Sequence, residues 1–364
     1  MHFYVWLRRS LGDVYPKLFS TLLTPKTQEL IATPYRHNGS KKKAKEFFET
    51  GLGQAFQSMR DAQSGIILKS IFELLDRFPD EEACRSWLFT RRWPNGFACP
   101  RCGGVEHYRI STRGLYECAY CHYQASLTAG TVMECTRTPL RAWFALIFLM
   151  ANQRTGLSVL SASRMLGISY KRASLMARKI RRAMEERDCR YALAGLVEMD
   201  ESYFGSPKSG GKHGRGAPGK RPVLISVSLN GEAPLHARMR VMEAVTADEI
   251  SKAIGDSILK GTRVITDGYV SYPPALDGFE HEARELRSGA AASDKLPWVH
   301  ILASNVKAMI RGTHHGVAPR RLQAYLSEFC WRFSRRMFTG ELFDRLLWSC
   351  IQAKPVTYRQ LVAA

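Results

Sequence analysis

The sequence predicts a multi-domain α/β chain: a zinc ribbon plus a helix-turn-helix, followed by a mixed-sheet domain. Three observations predict it. Two C-x2-C pairs stand fifteen residues apart, a helical stretch broken by a glycine carries one basic helix, and from Leu196 the pattern changes to short β-rich runs. At 364 residues and 45% hydrophobic, the chain is long enough to bury a sizeable core in two or three units.

Charge narrows the class. Lys and Arg number 53 against 33 Asp and Glu, a formal charge of +20, which points to a polyanionic partner and first of all to nucleic acid. The longest apolar run, AWFALIFLMA from Ala142 to Ala151, is too short for a membrane span and reads as a buried helix. In the opening MHFYVWLRRSLG the arginines follow the apolar residues, the wrong order for a secretory signal. The expected location is therefore the cytoplasm, on the nucleoid, where thiols stay reduced and cysteines serve as ligands or core.

The first 58 residues carry a KKKAK run, scattered prolines and no clear periodicity, and Met59 offers an alternative start. They read as a weakly ordered or mis-annotated extension, whose removal leaves about +15. Residues 59–135 form a helical lead-in and ribbon. In the lead-in, IILKSIFELLDRFPDEEACRSWLF predicts two short helices broken at Pro79. Cys99, Cys102, Cys118 and Cys121 follow as two knuckles of four soft donors, the pattern of a structural, closed Zn2+ site. Cys84, Cys135, Cys189, Cys330 and Cys350 lack such spacing and read as core.

Residues 136–192 carry a buried helix over 139–153 and then a helix-turn-helix. The first helix ends near Leu166, Gly167 makes the turn, and Ser169 is placed to cap the second. That second helix presents Lys171, Arg172, Arg178, Lys179, Arg181 and Arg182, with Leu175, Met176 and Ile180 facing inward. It is either a DNA-contacting helix or an amphipathic helix with a solvated basic face; the ribbon just upstream favours the first.

Residues 193–340 form the mixed-sheet domain, with 341–364 read as a tail. The runs LVEMDESYF, PVLISVSL, LHARMRV and TRVITDGY, with the helical ADEISKAIGDSILK before the last, give three strands, a helix and a fourth strand. Alternation in the first strand turns Glu198 and Asp200 to one face, Met199 and Glu201 to the other. Asp267 ends the fourth strand before Gly268. Two carboxylates on one sheet suit Mg2+ or Mn2+, hard cations that take oxygen ligands. Between them runs GSPKSGGKHGRGAPGKR, whose Lys212, Arg215 and Lys220 suit a phosphate backbone, although a solvated hairpin loop fits as well.

Taken together, the two cysteine pairs, VEMDESYFG, the glycine-rich basic loop, VITDGYVSY and LPWVHILASNVKAMIRGTHHGVAPRRLQAYLSEFCWRFSRR resemble the insertion-sequence transposases of the family numbered fifteen ninety-five, over about Met59 to Arg336. The resemblance implies an RNase H-like catalytic domain with a third metal ligand on a helix after the second aspartate. HILASNVK puts Asn305 there, completing an Asp200, Asp267, Asn305 triad; an amide oxygen coordinates Mg2+ but adds no charge. Asn305 also reads as a helix-start cap after Ser304, and Glu328 is a reserve third acid. Lys307, with Arg311 as its substitute, matches the basic residue the family keeps nearby to hold DNA. His314 and His315 are assigned no catalytic role, and Arg332, Arg335 and Arg336 are expected to be exposed beside a core of Tyr325, Phe329, Trp331 and Phe333.

The implied activity is DNA transposition: binding terminal inverted repeats, metal-dependent cleavage, and strand transfer into a target duplex, by at least a dimer on double-stranded DNA. The alternatives are a catalytically decayed DNA-binding regulator, and an RNase H-like nuclease or resolvase acting on branched DNA.

Overall fold

A computed structural model describes residues 67–205, 220–284 and 296–363. The expected extension at 1–58, and Lys212 and Arg215 of the glycine-rich loop, lie outside the described residues.

Helices begin where the sequence caps them. Ser70 accepts the Glu73 N–H at 3.2 Å and opens α1 (Ile71–Arg77); Asp80, just past the proline break, accepts the Ala83 N–H at 2.8 Å and opens α2 (Glu81–Arg92). Three short antiparallel strands follow, β1 (His107–Ile110), β2 (Leu115–Cys118) and β3 (Gln124–Ser126), paired in that order. Then come α3 (Leu140–Asn152), α4 (Val159–Leu166) and α5 (Tyr170–Asp188). As the sequence predicts, Gly167 ends α4 in the left-handed region at φ 63°, and the Ser169 side chain caps α5 through the Arg172 N–H.

The second half is a five-stranded sheet. β4 (Leu196–Phe204), β5 (Arg221–Asn230) and β6 (Ala233–Val241) form an antiparallel meander, α6 (Ala247–Ile254) crosses over, and β7 (Arg263–Thr266) returns parallel to β4. After the short α7 (Tyr272–Ala275), a fifth strand, β8 (Glu280–Ala283), adds parallel to β7. The spatial order is β6-β5-β4-β7-β8, the RNase H-like mixed sheet that the resemblance implies. β8 was not legible in the sequence because EHEA has no apolar alternation. On one face α8 (Pro297–His314) and α9 (Leu322–Ser334) bury Val223, Ile225, Ile265, Leu302 and Leu326. On the other, α6 and α7 bury Val197, Met199, Val264, Ile250 and Tyr272.

The expected C-terminal tail is a structural element instead. α10 (Leu342–Gln352) places Phe343, Leu346, Leu347 and Cys350 in one core with Leu74, Phe78, Leu88 and Phe144, and the short α11 (Tyr358–Ala363) follows. The helices before the ribbon have an apolar face that they cannot cover themselves, and LFDRLLWSCIQ supplies the complementary one.

Candidate active site

The acids in an apolar strand are explained one by one. Glu198 is buried, and its carboxylate accepts the Trp298 N–H at 3.0 Å, in the first turn of α8, whose N-cap Leu296 offers no side-chain bond. It fills the orphan donors at the start of that helix, and burial raises its pKa. Glu198, the first acid of LVEMDESYF, therefore docks a helix to the sheet.

Asp200 lies two residues further on the same face. β4 and β7 pair in parallel with Glu198 opposite Ile265; two more residues along that register set Asp200 abreast of Asp267, just past the end of β7. Neighbouring strands lie about 4.8 Å apart, so the topology brings these carboxylates together from opposite ends of the domain. Asp267 is held by a turn in which its carboxylate accepts the Tyr269 N–H at 3.0 Å and Gly268 takes φ 82°, a conformation that favours glycine. Burial, then the charges of Glu201 and Asp267, push the Asp200 carboxyl up to about 8. Its ion-pair contact is a long one, to His300 Nε2 at 3.9 Å. Oxygen donors crowded at this charge suit a hard divalent cation, which would relieve their repulsion. Among the described residues, only the cysteine quartet groups three or more such ligand atoms, all within 4.8 Å of one another.

α8 runs alongside β4 and presents a stripe to it. His300 faces Asp200, and Lys307 donates to Ser202 Oγ at 2.8 Å. Burial, then the neighbouring charges of Lys220 and Arg311, lower the pKa of Lys307, so these three cations form one cluster. At 3.6 residues per turn, Ser304, Lys307 and Arg311 fall within about 40° of His300 around the helix, whereas Asn305 falls about 140° away. Asn305 is exposed and mid-helix, so it neither stands with the two aspartates nor starts a helix. The residue that does stand there is His300, which sequence reasoning missed; the available signal was its spacing of seven from Lys307, two turns on one face. Glu328, the reserve acid, is fully buried in α9 between Arg181 and Arg332 and belongs to the core.

The four cysteines converge as expected. Cys99 Sγ lies 3.6 Å from Cys121 Sγ, and Cys102 Sγ 3.5 Å from Cys118 Sγ. Tetrahedral Zn–S bonds of about 2.3 Å put sulfurs roughly 3.8 Å apart, so the quartet fits zinc. A Cβ on Gly104 would fall 2.5 Å from the Tyr120 ring and 3.2 Å from Cys118 Sγ, which is why the knuckle needs glycine there.

The basic helix divides in two. Lys171 and Arg172 are exposed at the start of α5, the end that reads bases in a helix-turn-helix, and Arg178 is half-buried. Lys179 is a correction: it is buried and reaches toward the Glu134 carbonyl at 3.4 Å. Arg181 is another, since it pairs with Glu328 at 2.5 Å and lies over the Tyr325 ring at 4.0 Å. Arg332, expected outside, is buried in the same cluster, and Arg335 pairs with Asp188 at 2.7 Å. The cause is that α5 packs against α4, α9 and α10, so its later turns bury Lys179 and Arg181 and leave Arg182 outside.

Residues 192–334 match a family described as an ISXO2-like transposase domain, and residues 79–124 match one described as a transposase zinc-ribbon domain. No curated protein matches the chain. Among solved structures, one described as the Mos1 mariner paired end complex with Mn is 13% identical, over 87% of this chain and all of that one, with a TM-score of 0.22, a likeness too slight to inform the fold. The mixed sheet and the two matched domains together are those of a transposase of the DDE type. The chain belongs to the IS1595 transposases, whose ribbon and ISXO2-like domains it carries in that order.

Proposed function

We propose that this transposase binds the inverted repeats of a bacterial insertion sequence, hydrolyses a phosphodiester at each end, and joins the freed 3′ hydroxyl to target DNA. The supporting observation is the shared register of β4 and β7, which sets Asp200 and Asp267 side by side on the face covered by α8. In this reading the two aspartates hold Mg2+ or Mn2+, and His300 takes the third position that the resemblance gives to Asn305. Bound divalent ions would lower the pKa of the attacking water or hydroxyl and offset charge on the leaving oxygen. Lys307, Lys220 and Arg311 hold the phosphate backbone against the acids, with Ser202 fixing the Lys307 ammonium. The test is nicking and strand transfer on a duplex carrying the element's end. Product should require Mg2+ or Mn2+ and vanish in Asp267→Ala; product that persists in that variant would refute the assignment.

In the same reading, Cys99, Cys102, Cys118 and Cys121 hold a structural zinc. One zinc per chain should be released by a thiol-modifying reagent, and Cys102→Ser should lose it along with end binding, measured by metal analysis and gel shift. Lys171 and Arg172 contact the end duplex. Replacing both by Ala should weaken end binding and reduce the slope of log K against log salt by about 2, whereas Lys179→Ala should leave that slope unchanged. Two ends joined in one reaction imply at least a dimer on DNA.

A further inference from the structure

Between the start of α5 and the cations beside the acids lies a set of arginines that helix packing does not use. Lys171 and Arg178 are two turns apart on α5, so they share one side of the helix at a separation of about 10 Å. Beyond Arg178 the charge passes to another element. Burial, then the charge of Arg321, lower the Arg178 pKa, so Arg321 stands close by, in the single 3-10 turn Pro319–Arg321 that leads into α9. Arg320 and Arg321 are both exposed, and among the described residues neither pairs with an acid. Arg320 in turn lines an open groove of about 570 Å3 with Pro319 and, from β5 and β6, Arg221 and Val241. The acid in that lining, Glu243, forms an exposed pair with Arg221, a surface contact weak enough to yield to a phosphate. Lys220, next to Arg221, belongs to the cluster of Lys307 and Arg311, and Lys307 donates to Ser202, two residues from Asp200.

We propose that Arg178, Arg320 and Arg321 form a phosphate-binding bridge, which carries the backbone of the end duplex along the groove from the start of α5 to the cations beside Asp200. The inference rests on the reading of α5 as the helix that grips the end. A duplex presents a phosphate charge about every 1.7 Å along its axis, which matches cations laid in series over several elements. Exposed arginines held side by side repel one another; phosphates between them relieve that repulsion, and each guanidinium can donate two hydrogen bonds to one phosphate. Tyr170 and Tyr358, both exposed and near Arg178, add hydroxyl donors. The occupant is the end duplex rather than target DNA because the series starts on the end-binding helix and runs without a gap in charge to the acids.

The test is end binding by the full-length, zinc-loaded chain, without Mg2+ or target DNA, read by gel shift against salt and by hydroxyl-radical footprinting of the duplex backbone. Arg320→Ala with Arg321→Ala should weaken end binding roughly tenfold at about 0.15 M salt and reduce the slope of log K against log salt by about 2. It should also lose backbone protection between the α5 footprint and the cleaved bond. Arg320→Lys with Arg321→Lys keeps both charges and should retain the wild-type slope. Lys171→Ala with Arg172→Ala serves as the reference. End binding weakened in that reference but unchanged in slope and footprint in the Arg320 and Arg321 alanine pair would overturn this inference and leave the wider reading standing. An unchanged reference would remove the wider reading, and this one with it. Normal end binding with a loss confined to strand transfer would overturn the inference by giving the surface to target DNA. If the alanine pair does not fold, Arg321→Gln takes its place, and a wild-type slope and footprint there overturn the bridge.

Discussion

Asp200→Asn should lower end cleavage by at least about 10³-fold while the protein melts no lower than the wild type. Asparagine has the same shape and keeps an oxygen for the Glu201 N–H, so the local turn survives. What it removes is a charge that the fold resists: burial and the neighbouring acids raise this carboxyl's pKa, so at neutral pH its ionised form costs stability. Neutralising it should raise metal-free stability by on the order of 1 kcal/mol, the signature of a group retained for function. Single-turnover cleavage and thermal melting in metal-free buffer measure the two effects. A variant that loses fold and activity together would mark Asp200 as a structural aspartate.

Glu328→Gln should destabilise the protein by about 3–5 kcal/mol, because it leaves Arg181 and Arg332 buried without their counter-charge. Melting by circular dichroism reads this directly; a melting point within a degree of the wild type would show that the buried charges do not couple α5 to α9. The same cluster sets an acid limit. Its two arginines hold Glu328 at about 2 against the desolvation of its burial. This carboxylate's folded pKa lies below its unfolded one, so its stabilisation is complete above about 4.5 and lost as pH falls toward 2. His314 adds to it: burial pushes its pKa down to about 4, so the folded state disfavours its charged form and stability falls as pH drops from about 6.5 toward 4. Wild-type stability should therefore decline in acid in two stages, and Glu328→Gln should lack the lower one.

That cluster also bears on how ends reach the site. The later turns of α5 are joined to α9 by Arg181 with Glu328 and by Asp188 with Arg335. The exposed Lys171 and Arg172 at its start are thus held on the same rigid helix. In the proposed reading, a duplex gripped there is delivered in a set relation to Asp200 and Asp267.

Local pattern alone determined much of this protein. The cysteine knuckles, the capped helices around Pro79, the Gly167 turn and Ser169 cap, and the alternation that parts Asp200 from Glu201 depend on residues a few positions apart, where backbone geometry follows from side-chain type. What only the tertiary structure decided involves longer reach. Arg181 and Glu328 are 147 residues apart, and nothing near either one says that a basic helix buries Arg181 against another helix. Asn305 and His300 sit on one helix, yet which of them meets the aspartates depends on how Glu198 docks that helix onto β4. A helix repeats its chemistry every turn, and only the partner it packs against decides which face is inside.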